Sequence, residues 1–314
     1  MNSDNIISVV VPVYNSEKSL KELCGRLNTV LMKITEEYEI LLVNDGSHDS
    51  SGDIINHLSK KYERVKGIHL MRNYGQHNAL LCGIRRAKNE LIVTLDDDLQ
   101  NPPEEILKML DKLNQGYDIV YGTPENEKRG VLRNFTSVIT KSALNLAMGV
   151  KSAKHVSSFR IFRKKISESF KHFDGSFVCI DVLLAWGTTN FGSVIVKHDH
   201  RKIGKSNYSI IKLLVHALNM ITGFSVIPLK IASVLGIVFA LFGLFILIFV
   251  IGQFLLVGSP VQGFPFLASI ISIFSGVQLL AIGIIGEYLA RIHFTSIDKP
   301  QYAVRTNNLK KKSH

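Results

Sequence analysis

Residues 7–16 read Ile-Ser-Val-Val-Val-Pro-Val-Tyr-Asn-Ser, and residues 39–47 read Glu-Ile-Leu-Leu-Val-Asn-Asp-Gly-Ser. Each is a short apolar run closed by polar turn formers, the pattern of a strand buried on both faces of a parallel sheet. Pro12 is expected to mark the end of the first strand. Between the two runs, residues 17–33 place Leu20, Leu23, Leu27, Val30 and Leu31 at helical spacing, with Ser16 as the predicted N-cap. The unit then repeats, with strands predicted at 65–70, 91–95 and 118–121 and helices at 51–62, 79–87 and 104–114. Alternation of this kind implies an open, mostly parallel α/β sheet, whose ligands bind beyond the carboxyl ends of its strands. That rule gathers Tyr14, Asn15, Asp45, Gly46, Ser47, Asp96, Asp97 and Asp98 on one rim.

The 314 residues suit about two structural units. An apolar fraction of 46% excludes disorder as the main state. Lys and Arg outnumber Asp and Glu by 37 to 26, a formal charge of +11, yet residues 231–286 are 56 positions without one charged side chain or histidine. A membrane span needs about 20 apolar residues, so two fit. Gly258-Ser259-Pro260, followed by Gly263 and Pro265, divides them into spans at 232–257 and 266–289. Cations lie on both outer flanks, Lys202, Lys205, Lys212 and Lys230 before and Arg291, Lys299, Arg305 and Lys310–Lys312 after, so the positive-inside bias puts both ends in the cytosol. The rival reading, two buried helices of a soluble core, conflicts with the lack of any solvated face.

The run Ile6–Val13 is too short and wrongly flanked for a signal peptide. Cys24, Cys82 and Cys179 show no paired spacing and read as reduced core thiols. The basic charge reads as attraction to an anionic leaflet, and no nucleic-acid motif accompanies it. The organisation expected is a cytosolic domain over 1–207, an interfacial amphipathic helix over 208–229, a transmembrane hairpin over 230–292 and a basic tail over 293–314 that touches lipid. Glu287 and Arg291, at i and i+4, read as a structural pair.

The segments Val10-Val11-Pro12-Val13-Tyr14-Asn15, Val43-Asn44-Asp45-Gly46-Ser47 and Thr94-Leu95-Asp96-Asp97-Asp98-Leu99-Gln100-Asn101-Pro102-Pro103-Glu104 resemble the family 2 glycosyltransferases, and within them the membrane-bound polyprenyl-phosphate glycosyltransferases. The likeness continues through Arg72–His77, Arg201–Ser209 and Ile284–Ile292, so it covers nearly the whole chain. Arg72–His77 and Leu99–Glu105 look closest to the undecaprenyl-phosphate formamido-arabinose branch. Dolichyl-phosphate mannose synthase and the O-antigen glucosyl carrier enzymes are similar too.

The resemblance implies a GT-A fold with a C-terminal two-helix hairpin, and an inverting transfer of sugar from a nucleotide-diphospho-sugar to polyprenyl phosphate at the cytosolic face of a bacterial inner membrane. It implies Mg²⁺ or Mn²⁺ held by Asp96, Asp98 and Gln100, a donor contacted by Pro12, Tyr14, Glu17, Asp45 and Asp96 with uracil the favoured base, and a lipid phosphate held by Arg133, Arg160, Arg201, Lys205 and Ser206. Asp96, Asp98 and Arg201 are the residues expected to carry catalysis. Assembly of copies through the hairpin is the family's habit. Alternation would put Asp96, Asp98 and Gln100 on one side of an extended segment, with Asp97 facing away. Two departures stand out: Ser158 replaces a carboxylate that relatives carry as a proposed base, and Asn207 replaces a lysine. A processive synthase is disfavoured because the only tryptophan, Trp186, lies in no acceptor motif. A scaffold that kept the fold without activity is the remaining alternative.

Overall fold

The computed structural model describes residues 6–124, 156–199, 219, 221–257 and 264–307. Strands β1 (Ile7–Val13), β2 (Tyr38–Asn44), β3 (Val65–Leu70) and β4 (Leu91–Thr94) alternate with helices α1 (Leu20–Ile34), α2 (Ser51–Lys61) and α3 (Gln76–Arg86). Helix α4 (Ile106–Leu113), β5 (Ile119–Pro124), β6 (Arg160–Arg163), α5 (Ile180–Gly187) and β7 (Phe191–Val196) follow. Two long helices, α6 (Ile227–Val257) and α7 (Phe264–Ser296), precede a last strand, β8 (Val304–Asn307).

The eight strands form one sheet in the order β7-β5-β6-β4-β1-β2-β3-β8. β1 pairs in parallel with β2 and β4, β2 with β3, and β5 with β7, while β6 and β8 run antiparallel to their neighbours. The sheet is therefore mixed and mostly parallel, as the repeat of strands and helices predicts. Side chains alternate across it: Val9, Val11 and Val13 pack with α1, α2 and α4, whereas Val10 faces α3 and α5. Helix α3 lies so close to β1 that a Cβ on Gly83 would come within 2.3 Å of Val10 Cγ1, which explains glycine there.

Pro12 sits inside β1, opposite Val43, rather than at its end. The ladder to β4 stops at Val10 opposite Thr94, with a last bond from the Leu95 amide to the Val10 carbonyl. The missing proline N–H therefore falls beyond the final β1–β4 pair and removes no ladder bond. Helix α1 begins at Leu20, not at Glu17, because the Ser16 hydroxyl is committed to Asp97 and only its carbonyl receives the amides of Ser19 and Leu20.

Helices α6 and α7 are long and apolar enough to cross a bilayer, and none of either apolar stretch is buried within the protein. Side chains such as Phe245 and Leu256 point outward. An apolar surface of that extent needs lipid, not a soluble core. The 33 residues of α7 rise about 50 Å, well beyond a hydrocarbon core of about 30 Å, so its last turns protrude. At that end the Tyr288 hydroxyl donates to the carbonyl of Ser225, just ahead of α6, at 2.5 Å, and the neighbouring Phe224 packs against Phe173, Phe177 and Trp186 of the sheet-bearing unit.

The basic tail expected over 293–314 is, over its described part, the end of α7 followed by a strand of the sheet. After α7 the chain returns to the sheet, where β8 pairs with β3, the Met71 amide donates to the Ala303 carbonyl, and Gln301 binds the carbonyls of Phe173 and Gly175. Of the expected interfacial helix, residues 221–224 are helical, and nearly all of 208–220 lies outside the described residues.

Candidate active site

Because β4, β1, β2 and β3 are adjacent and parallel, their carboxyl ends share one edge, and the polar residues after each strand meet there. The β1 loop is stapled to its neighbours. Tyr14 N–H donates to Asp97 Oδ2 at 3.1 Å, and the Ser16 hydroxyl donates to the same oxygen. Asn15, at φ 54°, adopts the left-handed conformation that asparagine tolerates, donates its amide to Ser47 Oγ, and accepts from the His48 amide at 2.9 Å. Glu17 accepts from Ser50 N–H at 3.1 Å, at the start of α2, where a carboxylate also suits the helix dipole. The Tyr14 ring is 44% exposed and lies edge-on to His48. Pro12 is buried in β1, so it shapes the loop from below rather than lining the rim.

Asp45 is 2% exposed, and its two oxygens accept the amides of Tyr74 at 2.7 Å and Gly75 at 2.8 Å. Burial raises its pKa above the ordinary aspartate range, against the pull of these two donors. The carboxylate thus clamps the loop before α3 rather than standing open on the rim. Gly46, at φ 67°, lets that loop approach: a Cβ there would lie 2.5 Å from the Arg72 carbonyl carbon.

The segment after β4 is not extended. Residues 97 and 98 form a turn, and Leu99 at φ 63° points its side chain into the core below. The simple alternation expected of Asp96, Asp98 and Gln100 therefore fails. Asp96 accepts from Gln76 Nε2 and from Ser158 Oγ, each at 2.6 Å, while Asp98 Oδ1 accepts the Gln100 amide at 3.1 Å and the Gln100 carbonyl receives the Asp199 amide. Asp97 turns back beneath the β1 loop. Burial, reinforced by the charges of Asp96 and Asp98, pushes it up to about 6 against the hydrogen bonds from Ser16 and Tyr14.

Arg160 corrects another expectation. It is 1% exposed, its Nη1 is paired with Asp181, and its Nε donates to Thr94 Oγ1 at 3.0 Å, so it is not placed to meet a lipid phosphate. Thr94 in turn donates to the Ser158 carbonyl at 2.8 Å, and Tyr121 OH donates to Asp181 at 3.1 Å. A chain of polar contacts thus runs from the buried ion pair through Thr94 and Ser158 to Asp96. Arg133, Arg201, Lys205 and Ser206 lie outside the described residues.

Among the described residues, no three His, Cys, Asp or Glu side chains converge as a metal cage. The rim carries the hard oxygens of Asp96 and Asp98, which also accept from Gln76, Ser158 and the Gln100 amide, with Gln100 close in sequence. Mg²⁺ and Mn²⁺ suit such oxygen ligands, and Mg²⁺ is commonly held by one or two carboxylates together with substrate phosphates. The donor set fits a cation shared with a diphosphate. Gln76 is the site residue that sequence reasoning misses. Its position in the Arg72–His77 segment, directly after Gly75 at φ 95° and at the first residue of α3, is the only signal that could find it.

The family model described as glycosyl transferase family 2 matches residues 8–170. The undecaprenyl-phosphate 4-deoxy-4-formamido-L-arabinose transferase of Photorhabdus laumondii is 33% identical over 302 residues, which span 95% of this chain and 93% of that protein. The enzyme of the same name from Aeromonas hydrophila is 33% identical over 309 residues, 97% of this chain and 95% of its own. Among solved structures, glucosyl-3-phosphoglycerate synthase from Mycobacterium tuberculosis, in complex with Mn²⁺, UDP and glucosyl-3-phosphoglycerate, superposes with a TM-score of 0.51 at 16% identity, over 70% of this chain and 78% of that one.

Proposed function

Because the chain belongs to the family 2 glycosyltransferases, we propose that it transfers a sugar from a nucleotide-diphospho-sugar, with UDP the favoured nucleotide, to a polyprenyl phosphate at the cytosolic face of a bacterial inner membrane. The observation that carries this reading is the union, in one chain, of a carboxylate rim on a GT-A sheet with an apolar hairpin whose entry segment, bonded to the protruding end of α7, packs against the same unit. Relatives named for undecaprenyl phosphate match over nearly their full length.

In this reading Asp96, Asp98 and Gln100 hold Mg²⁺ or Mn²⁺, which when bound neutralises the charge of the departing nucleoside diphosphate. Gln76 and Ser158 fix the Asp96 carboxylate, and Asp97 fixes the loop carrying Tyr14 against the nucleoside. Asp45 and Glu17 act on the donor through the loops they clamp. The acceptor phosphate is largely ionised at neutral pH, with its second pKa near 6, so it attacks the anomeric carbon without a base and inverts it. This removes the need for a carboxylate at Ser158. Arg133, Arg201, Lys205 and Ser206 hold the lipid phosphate. The organisation proposed is a cytosolic catalytic domain with both termini inside, and copies that assemble through the hairpin.

The test incubates purified, detergent-solubilised protein with short-chain polyprenyl phosphate, Mg²⁺ or Mn²⁺ and a panel of nucleotide-sugars, following lipid mass. A lipid-phosphate-sugar that disappears with EDTA and in Asp98→Ala supports the reading. Absence of both product and nucleotide binding overturns it in favour of the inactive scaffold.

A further inference from the structure

Beneath the β1 loop, one histidine ties two elements together. His69 of β3 lies opposite Asn44 of β2 in their ladder, and both side chains are buried. The Asn44 carboxamide is oriented by the turn that follows it, because its Oδ1 accepts the Ser47 amide at 2.9 Å. Its Nδ2 therefore faces the imidazole, 3.1 Å from Nδ1, and donates to it. With Nδ1 accepting, the ring proton of neutral His69 sits on Nε2, which donates to Asn56 Oδ1 of α2 at 3.0 Å. Two glycines make room for the pair: a Cβ on Gly52 would lie 3.3 Å from Asn44 Nδ2, and one on Gly67 would lie 3.6 Å from His69 Nε2.

What this bracket supports is the segment 47–51, and that segment carries the β1 loop. Ser47 Oγ receives the Asn15 amide at 3.1 Å, Ser51 Oγ the Ser16 amide at 2.8 Å, and Asp49 Oδ2 the Glu17 amide at 3.1 Å. In return the side chains of Asn15 and Glu17 accept the amides of His48 and Ser50. Every backbone amide from Asn15 to Glu17 is thus bonded to this one segment. The segment is set at its start by Asn44 and at its end by α2, and His69 grips both. A protonated imidazole could not do this. Its Nδ1–H would face the Asn44 amino group, and turning the carboxamide to accept it would take Oδ1 away from the Ser47 amide. Burial and the Arg305 guanidinium on β8 hold His69 below the ordinary histidine range, against the attraction of Asp53 on α2. His48 and Arg72 face the same cavity of about 590 Å³ that the ring lines.

Resting on the donor reading above, we infer that His69 is a positioning residue for nucleotide binding: as a neutral imidazole bonded to Asn44 and Asn56, it holds the 47–51 segment on which the Tyr14 loop is built. It touches no substrate and acts only through Asn44 and α2. An apolar side chain in its place would take one hydrogen bond from Asn44 and another from Asn56. Because the bracket needs the uncharged ring, donor affinity falls as pH drops below the ordinary histidine value of 6.5.

The experiment measures binding of UDP, GDP, ADP, CDP and dTDP, each with Mg²⁺, to the full-length protein in detergent by isothermal titration calorimetry at pH 7.5 and 5.5, alongside melting temperatures. His69→Leu removes both bonds. His69→Asn keeps an acceptor near the Nδ1 position and carries no charge at either pH. At pH 7.5, His69→Leu is expected to weaken the nucleotide that wild type binds by about fivefold to tenfold, and His69→Asn by less than about twofold. At pH 5.5, wild type is expected to lose about threefold in affinity relative to His69→Asn, since the titration of the terminal phosphate near pH 6 is common to both proteins. A merely structural histidine would lower the melting temperature of the variants and leave both comparisons unmoved; that result overturns the inference while the transferase reading stands. If His69→Leu does not fold, the ratio of wild type to His69→Asn decides alone, and a ratio that is the same at both pH values overturns the inference. If wild type binds none of the five nucleotides, the donor reading falls and the inference falls with it.

Discussion

Removing Arg160 tests whether a buried ion pair governs the carboxylate rim. Its guanidinium is 1% exposed, so its pairing with Asp181 is not discounted by solvent, and Asp181 is left with only the Tyr121 hydroxyl when Arg160 becomes methionine. Breaking a buried pair from one side costs about 3–5 kcal/mol. For a folded unit near 200 residues, each kcal/mol moves the melting temperature by about 2–4 °C, so a fall of about 6–20 °C is expected for Arg160→Met. Asp181→Asn strands the arginine instead and carries a similar loss. The double variant buries no charge, and the amide oxygen introduced by Asp181→Asn still accepts the Tyr121 hydroxyl, so it should be no less stable than either single change. The implied coupling is at least about 3 kcal/mol. Thermal unfolding of the detergent-solubilised protein measures all three. Losses that add within about 0.5 kcal/mol would refute the pairing as an energetic unit. Activity separates a second claim: the double variant still lacks the Arg160 Nε donor to Thr94, whose hydroxyl holds the Ser158 carbonyl. Turnover should therefore stay depressed while stability recovers, and recovery of both would deny Arg160 any positioning role.

Gly46→Ala should destabilise by at least about 2 kcal/mol, because it combines φ 67° with a backbone approach of 2.5 Å, whereas Gly25→Ala, with nothing within 4 Å, should gain up to about 1 kcal/mol from helix propensity; thermal melts compare them. Burial alone would raise the Glu39 pKa, but Lys66, the Lys88 amide and the Ser8 hydroxyl outweigh it and hold the group below the ordinary range. A depressed carboxylate contributes stability above its unfolded pKa of about 4.5 that disappears as pH falls through the folded value, so wild type should lose stability between pH 5 and 3 more steeply than Glu39→Gln; parallel profiles would contradict this. Burial pushes Cys24 and Cys82 up to about 11 and Cys179 up to about 12. Maleimide at pH 8 should leave all three unmodified until the protein unfolds, as mass spectrometry would show.

The strands β1 to β4 and their helices are readable because each carries one strong period, apolar runs for buried strands and 3.6-residue spacing for the helices between. The strands that escape such reading depend on distant partners. β6 reads Arg-Ile-Phe-Arg, and its first arginine is buried only because Asp181, from α5, reaches it. β8 is four residues whose role exists only against β3, more than 200 positions earlier. The same division runs through the site. Asp45, Asp96 and Asp98 are legible as carboxylates at strand ends, but which groups they meet is not. Nothing local says that Asp45 closes on two amides, or that a leucine at 99 takes the left-handed turn that breaks the alternation of Asp96, Asp98 and Gln100.

The hairpin is tied to the catalytic unit on both sides, and this bears on how a lipid and a soluble donor can react. On entry, Phe224 packs into Phe173, Phe177 and Trp186, and Tyr288 of α7 bonds the backbone at Ser225. On exit, Gln301 binds the same 173–175 segment and also Arg85 of α3, and β8 closes on β3. Two attachments to one surface, one just ahead of α6 and one just after α7, resist rotation as well as separation, which a single flexible linker would not do. The helix end that carries Arg291 is thereby held against the loop whose next residues touch Asp45 and Asp96. A reaction between a phosphate at the edge of the bilayer and a nucleotide-sugar on the sheet rim demands that kind of fixed span, because misplacing reacting groups by about 1 Å can cost about two orders of magnitude in rate. The C-terminal strand, which contributes no chemistry, then acts on the reaction by holding the membrane anchor in register with the rim.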